Sequence, residues 1–429
     1  MSREASTAGS EFPKKSQARW AILRNALLHK SRESSTEASI HRFPGYKLIK
    51  QQPFKNTKDL RSKLQRVQLR LSSTQSNEEK AEITMITMLA LGCLPASAQF
   101  SVELDGPISD ETTSFIHALQ EKCGSAFQIE PQDSEDSSLK LLVTQKKSPT
   151  STLYKCCVYP LDDSVSLLTR EPKETHLSLQ DLVSHRTAGV DNTGNICVWD
   201  SERTLAYLLY QPEEMRVLVP QTTRRILELG TGMAGLAGVS LALRLAQQQT
   251  TKEKLYVTLT DGHAEGVKNN KINRELTRAY APNHYDSLEV DTQVLLWTTD
   301  IQSDLPPQDV CLISDCTHFQ NFHSALAVTI LRSLRVGGRA LMCQPTRGGS
   351  SDNFTDLLMC LKVPIVEMAK SSFPVIEDMH EKSLEQFPDT YDQQTHMPRI
   401  FILTKLRELT QEDSQQFMAH QVARDCKLK

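Results

Sequence analysis

An apolar strand that runs into an acid and a glycine-spaced turn, Ile226-Leu227-Glu228-Leu229-Gly230-Thr231-Gly232-Met233-Ala234-Gly235, limits the folds open to this chain more than any other stretch. Gly230-x-Gly232-x-x-Gly235 lets the backbone pass tightly from a buried strand into a helix and brings amides close to a bound cofactor. Taken alone, the spacing allows a dinucleotide site, an S-adenosylmethionine site or an empty turn. Downstream of it the chain alternates regularly. Strands are predicted at Arg225 to Leu229, Leu255 to Thr260, Thr292 to Leu296, Val310 to Ser314 and Arg339 to Cys343, each followed by helix-length sequence, with two more at Pro364 to Met368 and Arg399 to Thr404. Strand–helix–strand repeats of this kind form a mostly parallel sheet through right-handed crossovers, an α/β, Rossmann-like architecture.

Composition removes several function classes. The 429 residues are 39% hydrophobic with a net charge of -3, so a sizeable core is available and no global basic character points to nucleic acid or an anionic membrane. The ten cysteines include no C-x-x-C pair and several sit in apolar runs, as reduced thiols do in the cytoplasm, with the nucleus also open. Cys311, Cys316, His318 and His323 lack zinc-ligand spacing, and core thiols are expected instead of a metal site. Met1 to Lys14 lacks the apolar core of a secretory signal. Ile83 to Ala96, the longest mainly apolar stretch, is shorter than the roughly 20 residues a membrane helix needs.

Organisation obeys the same patterns. Residues 1–17 read as a disordered tail, and residues 18–190 as an N-terminal α+β region with an insertion at about 52–152. Helical periodicity appears over Ala18 to Leu28 and Asp59 to Leu71, and short strands at Phe100 to Leu104, Leu139 to Val143 and Tyr154 to Leu168. Leu177 to Leu182 reads as a short helix or turn, and Asp191 to Asn195 as a loop. Ile196 to Trp199 is predicted to be a strand entering a helix capped by Asp200 or Ser201. The cofactor domain spans 191–406, and 407–429 forms a C-terminal extension.

Glu228 within the first strand, Asp261 ending the second, Ser314-Asp315 at the tip of the fourth and Leu334-Arg335-Val336-Gly337-Gly338-Arg339 leading into the fifth together resemble the class I, seven-stranded S-adenosylmethionine methyltransferases. The resemblance implies an acid near the methionine amino group (Glu228), a ribose-binding acid (Asp261), backbone contacts at Gly230, Thr231 and Gly232, and adenine-lining residues near Leu296-Trp297. Trp297 is equally readable as a core aromatic. Val198-Trp199 upstream of the glycines and Asp315-Cys316-Thr317-His318 are similar to elements of a lysine-methylating branch, which adds Trp199 and Ser314 to the cofactor pocket and Asp315 and His318 to the catalytic set. That branch has an aromatic residue where His318 stands, so either His318 or Phe319 takes the place. Asp315 is expected to meet the lysine ammonium; capping the next helix is its plainer role.

Asp191-Asn192-Thr193-Gly194-Asn195-Ile196-Cys197-Val198-Trp199, Ala18-Arg19-Trp20, Leu259-Thr260-Asp261-Gly262, Arg347-Gly348 and Ile402-Leu403-Thr404-Lys405 resemble the calmodulin-lysine methyltransferases within that branch. Calmodulin is therefore the implied substrate, with another protein lysine, on a chaperone or elongation factor, or a non-catalytic S-adenosylmethionine-binding scaffold as rival readings. Calmodulin is acidic, and Arg19, Arg24, Lys30, Arg32, Arg42, Lys47 and Arg347 are candidates for steering it. A monomer is expected, with no nucleic-acid or membrane partner. Chemically, a lysine of pKa about 10.4 must lose its proton before attack, at a cost of about 4.6 kcal/mol at pH 7. Burial and nearby positive charge lower such a pKa by up to about 3–5 units. The rest is alignment.

Overall fold

The computed structural model describes residues 48–49, 51–53, 60, 64, 76–93, 99–104, 110–124, 127–132, 139–145, 154–172, 197–248, 253–281, 285 and 287–427. The expected tail at 1–17, the helix at 18–28, the turn at 177–182 and the loop at 191–195 lie outside these residues, as does most of the helix at 59–71.

Among the described residues, the N-terminal part is built on six strands: β1 (Gln52–Pro53), β2 (Gln99–Leu104), β3 (Phe127–Gln132), β4 (Leu139–Gln145), β5 (Tyr154–Pro160) and β6 (Ser166–Pro172). Two helices accompany them, α1 (Asn77–Gly92) and α2 (Asp110–Cys123). The apolar stretch at 83–96 belongs largely to α1, which opens on a capping box: Ser76 Oγ accepts from Glu79 N–H and the Glu79 carboxylate accepts from Ser76 N–H. β2, β4 and β3 form one antiparallel sheet, and β1, β5 and β6 another. The stretch 154–168 is thus a hairpin and not one strand, because Asp162 folds the chain back by accepting from the N–H groups of Ser164 and Val165.

Seven further strands make the main sheet: β7 (Arg225–Leu229), β8 (Leu255–Asp261), β9 (Leu288–Val294), β10 (Gln308–Ser314), β11 (Leu334–Gln344), β12 (Val366–Ser371) and β13 (Arg399–Lys405). Their order is β12-β13-β11-β10-β7-β8-β9, parallel from β11 to β9, with β13 antiparallel to both of its neighbours. This is the class I methyltransferase sheet that the sequence implied. Among the described residues nine helices flank it: α3 (Asp200–Tyr210), α4 (Pro212–Leu218), α5 (Leu236–Gln248), α6 (Ala264–Tyr280), α7 (His323–Ser333), α8 (Ser350–Leu358), α9 (Pro374–Gln386), α10 (Gln393–His396) and α11 (Gln411–Lys427). One apolar cluster joins Leu205, Leu208 and Leu241 of α3 and α5 to Leu259, Leu312 and Leu341. The other joins Leu227, Leu229 and Ile313 to Leu326, Phe354 and Phe417 on α7, α8 and α11.

Four expectations are corrected. β9 begins at Leu288 and not at Thr292, because an edge strand exposing Glu289 and Asp291 shows little apolar pattern. The described residues between β9 and β10 hold no helix. Gly337-Gly338 sits in a bulge inside β11, where pairing jumps from Gln308↔Leu334 to Val310↔Arg339 and Gly337 has φ 78°. Helix α3 is capped by Trp199, with Asp200 and Ser201 already helical and residues 197–199 not a strand.

Candidate active site

Gly230, Thr231, Gly232, Asp261, Ser314, Asp315 and His318 lie at or just beyond the C-terminal ends of β7, β8 and β10, where an open parallel sheet leaves its crevice. After β7 the glycines 230, 232 and 235 take φ of 64°, 53° and 57°. A Cβ on Gly230 would stand 2.7 Å from Cys316 Sγ and 3.4 Å from Trp297 Cζ2, so only glycine lets the turn run between them. Trp297, half-buried beyond β9, thereby comes beside the glycine turn.

Thr231 locks this turn to β8. Its N–H and hydroxyl both donate to Thr260 C=O, at 3.0 and 3.2 Å, and Asn270 Nδ2 donates to Thr231 Oγ1 and to Gly232 C=O. Asp261 closes the loop: Oδ2 accepts from Gly232 N–H and Oδ1 from His263 N–H, each at 2.8 Å. Burial raises its pKa against the pull of those two N–H groups.

Glu228 does not reach the crevice. Strand alternation turns it under α5, where it is 1% exposed and its Oε2 accepts from Gly238 N–H at 2.7 Å. Glu202 of α3, a residue that sequence reasoning missed, accepts from Leu236 N–H at 2.6 Å. Two buried carboxylates thus hold the N-terminal turn of the helix that follows the glycines, where the helix dipole favours negative charge. Burial still raises both, Glu228 to about 7, and Glu228 adds to the rise of Glu202.

At the other side of the crevice Asp315 and Arg347 form a two-pronged ion pair: Nε donates to Oδ1 at 2.7 Å and Nη2 donates to Oδ2. They are the two non-glycine residues with positive φ among those described, 56° and 44°, and such backbone costs about 1–3 kcal/mol each. The Arg347 guanidinium lies 5.5 Å from the centre of the half-buried Trp199 ring. Its N–H donates to Gln394 C=O at 2.7 Å, tying α10 to the site. Arg347, predicted as a steering cation, is thus an internal partner; the other steering candidates lie outside the described residues. The Gly348-Gly349 that follows, with φ of 63° and 83°, was the available signal of an unusual backbone here.

His318 is exposed, its Nδ1 3.0 Å from Asp315 C=O and its ring 3.7 Å from the half-buried Phe319 ring. Ser314 Oγ is buried with no hydrogen-bond partner and belongs to the strand end beside Asp315. His323, by contrast, is core: Nε2 is 2.6 Å from Thr317 C=O, Arg424 meets Nδ1, and burial lowers its pKa to about 4. Cys311 and Cys316 are buried thiols raised by burial, and all ten cysteines are free. The described residues contain no cluster of three or more His, Cys, Asp or Glu arranged for a metal, and no helix among them is long and apolar enough to cross a membrane.

S-adenosylmethionine fits this arrangement. The Asp261 carboxylate at the tip of β8, the Trp297 ring beside Gly230 and the buried, unpartnered Ser314 hydroxyl at the end of β10 supply the acceptor, the flat ring and the spare polar group that an adenosine and an amino acid call for.

Residues 181–360 match the family described as lysine methyltransferase. Over 240 residues, 55% of this chain and 71% of the relative, the chain is 31% identical to the calmodulin-lysine N-methyltransferase of Arabidopsis thaliana. Among solved structures it is similar to a T. thermophilus 16S rRNA N2 G1207 methyltransferase in complex with AdoMet and guanosine. That match has 12% identity and a TM-score of 0.31 over 76% of this chain and 71% of that one. A SAM-dependent methyltransferase of Methanosarcina mazei matches at 13% identity and a TM-score of 0.27 over 46% and 99%. The family match spans the glycine turn and the Asp315 strand end, and with the identity and coverage of the Arabidopsis relative the chain belongs to the lysine methyltransferase family, whose methyl donor is S-adenosylmethionine.

Proposed function

We propose that this protein transfers methyl groups from S-adenosylmethionine to a lysine side chain of calmodulin. The observation that carries the substrate is the 31% identity to a relative named for that activity, covering 71% of its length. When bound, the cofactor supplies an electrophilic methyl on a sulfonium. The chain's own work is placement: Asp261 would hold the ribose, the turn at Gly230 to Gly232 and Ser314 would hold the amino-acid end, and Trp297 would flank the adenine. Asp315 and Arg347 mark the mouth through which the lysine enters, with Trp199, His318 and Phe319 as its walls. The lysine amine would take that methyl, and its extra proton would leave to solvent. No strong base is required once the amine is neutral, because alignment supplies the rest. A reducing compartment, cytoplasmic or nuclear, suits the ten free cysteines, and the monomer is part of the same proposal.

The test uses the full chain with labelled S-adenosylmethionine and unmethylated calmodulin, with the label located by mass spectrometry. Label on one calmodulin lysine, lost in Asp261→Ala and Gly232→Arg, is the expected result. Label on a different lysate protein would move the substrate to another protein lysine. Cofactor binding with no label anywhere would leave a scaffold.

A further inference from the structure

The lysine entrance already holds a cation of the chain's own. A free carboxylate beside the incoming side chain would stabilise its ammonium form and oppose the neutral amine that the reaction needs. Here both oxygens of Asp315 are engaged by Arg347, and the pair is only 8% and 26% exposed. Two residues forced into the left-handed region, with Gln394 fixing the Arg347 backbone and Trp199 beside its guanidinium, hold that pairing in place.

We propose that Arg347 is a positioning residue that cancels the charge of Asp315, so that the carboxylate orients the substrate amine through a remaining oxygen lone pair without favouring its protonated form. A carboxylate has about four lone-pair sites, so two donors from Arg347 leave room for one from the amine. The proposal rests on the lysine methyltransferase assignment and not on which protein supplies the lysine.

Other groups face the pair. Burial lowers the pKa of His396 of α10, Asp392 opposes it, and Arg347 lowers it further by a smaller amount. His318 contacts the Asp315 carbonyl, and the thiols of Cys316 and Cys343 are raised by burial first and Asp315 second. Asp200 and Arg203, 3.8 Å apart, stand one and four residues beyond Trp199. Of these, only His396 and His318 belong to a residue type that titrates near neutrality.

The test is the pH dependence of kcat at saturating acceptor, which reports groups in the enzyme–substrate complex. Arg347→Gln is expected to move the acid limb up by about one pH unit, so that kcat falls about tenfold at neutral pH and recovers in alkali. Arg347→Gly, which suits the left-handed backbone, is expected to do the same, and Arg347→Lys to hold the limb near its wild-type place. A limb that stays put in both charge-removing variants while kcat or KM changes would reduce Arg347 to a structural part. A shift that vanishes in R347Q/H396Q would assign it to His396 and overturn the proposal. A second readout needs no turnover: a 13C-methyl on the acceptor lysine, in complex with S-adenosylhomocysteine, has its titration midpoint followed by NMR. The midpoint is expected to rise in R347Q, and an unmoved midpoint overturns the proposal. Calmodulin is the first acceptor; if the wild-type chain leaves it unlabelled, the substrate reading fails and the lysate protein that is labelled serves for the same comparison.

Discussion

Glu228 separates what a motif says from what a side chain does. Its place in the strand made it a cofactor contact by resemblance, yet the alternation of β7 aims it at Gly238, and a Cβ on Gly238 would stand 2.8 Å from its Oε2. Asp261, one strand over, sits at the tip and is half-buried at the crevice. The consequence for Glu228 is a pH signature. Burial raises its pKa from 4.5 to about 7 in the folded chain, while the unfolded chain ionises near the lower value. Between those limits the folded state binds more protons, so stability falls as pH rises and levels off above about 7. Glu228→Gln should flatten that decline: Tm relative to wild type is expected to be higher at about pH 7.5 than at about pH 5, by scanning calorimetry. Parallel curves for the two proteins would show that Glu228 does not titrate there. Glu202, raised by the same burial, keeps a residual slope.

At the scale of elements, the chain after Arg407 reads in sequence as a mere extension, but it folds into a docked helix. α11 buries Phe417 completely, and Ser324 Oγ donates to Phe417 C=O at 3.0 Å. Ser414 Oγ donates to Thr299 C=O, and Arg424 donates to Gln320 C=O. Phe417→Ala is expected to cost about 3–5 kcal/mol in denaturant unfolding, with amide exchange accelerating first in α11. A loss below about 1 kcal/mol would mean that the helix merely rests on the surface. Its apolar residues are too sparse among Glu412, Asp413, Gln415 and Gln416 to announce burial. The strands β7, β8 and β10 were legible because buried parallel neighbours force runs such as Ile226-Leu227 and Val310-Cys311-Leu312-Ile313, and antiparallel β13 was legible because Ile400, Phe401 and Leu403 are buried in the same way. The Asp315–Arg347 pair was not legible, because 32 positions separate residues that only the β10–β11 register brings together.

Over the whole molecule, the inserted region shares its core with the cofactor domain. Leu60, Leu64, Leu91, Leu119 and Leu141 cluster with Ile272, Leu276 and Ala279 of α6, while Asn269 and Asn273 on that helix bond the backbone of Arg170 in β6. One helix therefore carries the glycine turn on one side, through Asn270, and the insertion on the other. Leu276, 0% exposed, is the place to part them. Leu276→Asp buries an unpaired charge, so limited proteolysis should cut between 54 and 152 faster than in wild type, while calorimetric binding of S-adenosylhomocysteine persists. Unchanged proteolysis would make the insertion an independent unit. Sequence alone marked this region as an insertion without chemistry, and its support of α6 needed the contacts.

The strand order also bears on synthesis. Among the described strands β13 comes last in chain order, yet it lies between β11 and β12 and pairs with both. A nascent chain that has reached Gln386 holds every residue of the glycine turn and of the Asp315–Arg347 pair. Its β11 still presents an unpaired edge, and β12 has nothing to join. Such edges recruit other chains. The interval before Arg399 to Lys405 arrives is therefore when this protein is most exposed to aggregation, and chaperone engagement should fall off once that strand has left the ribosome.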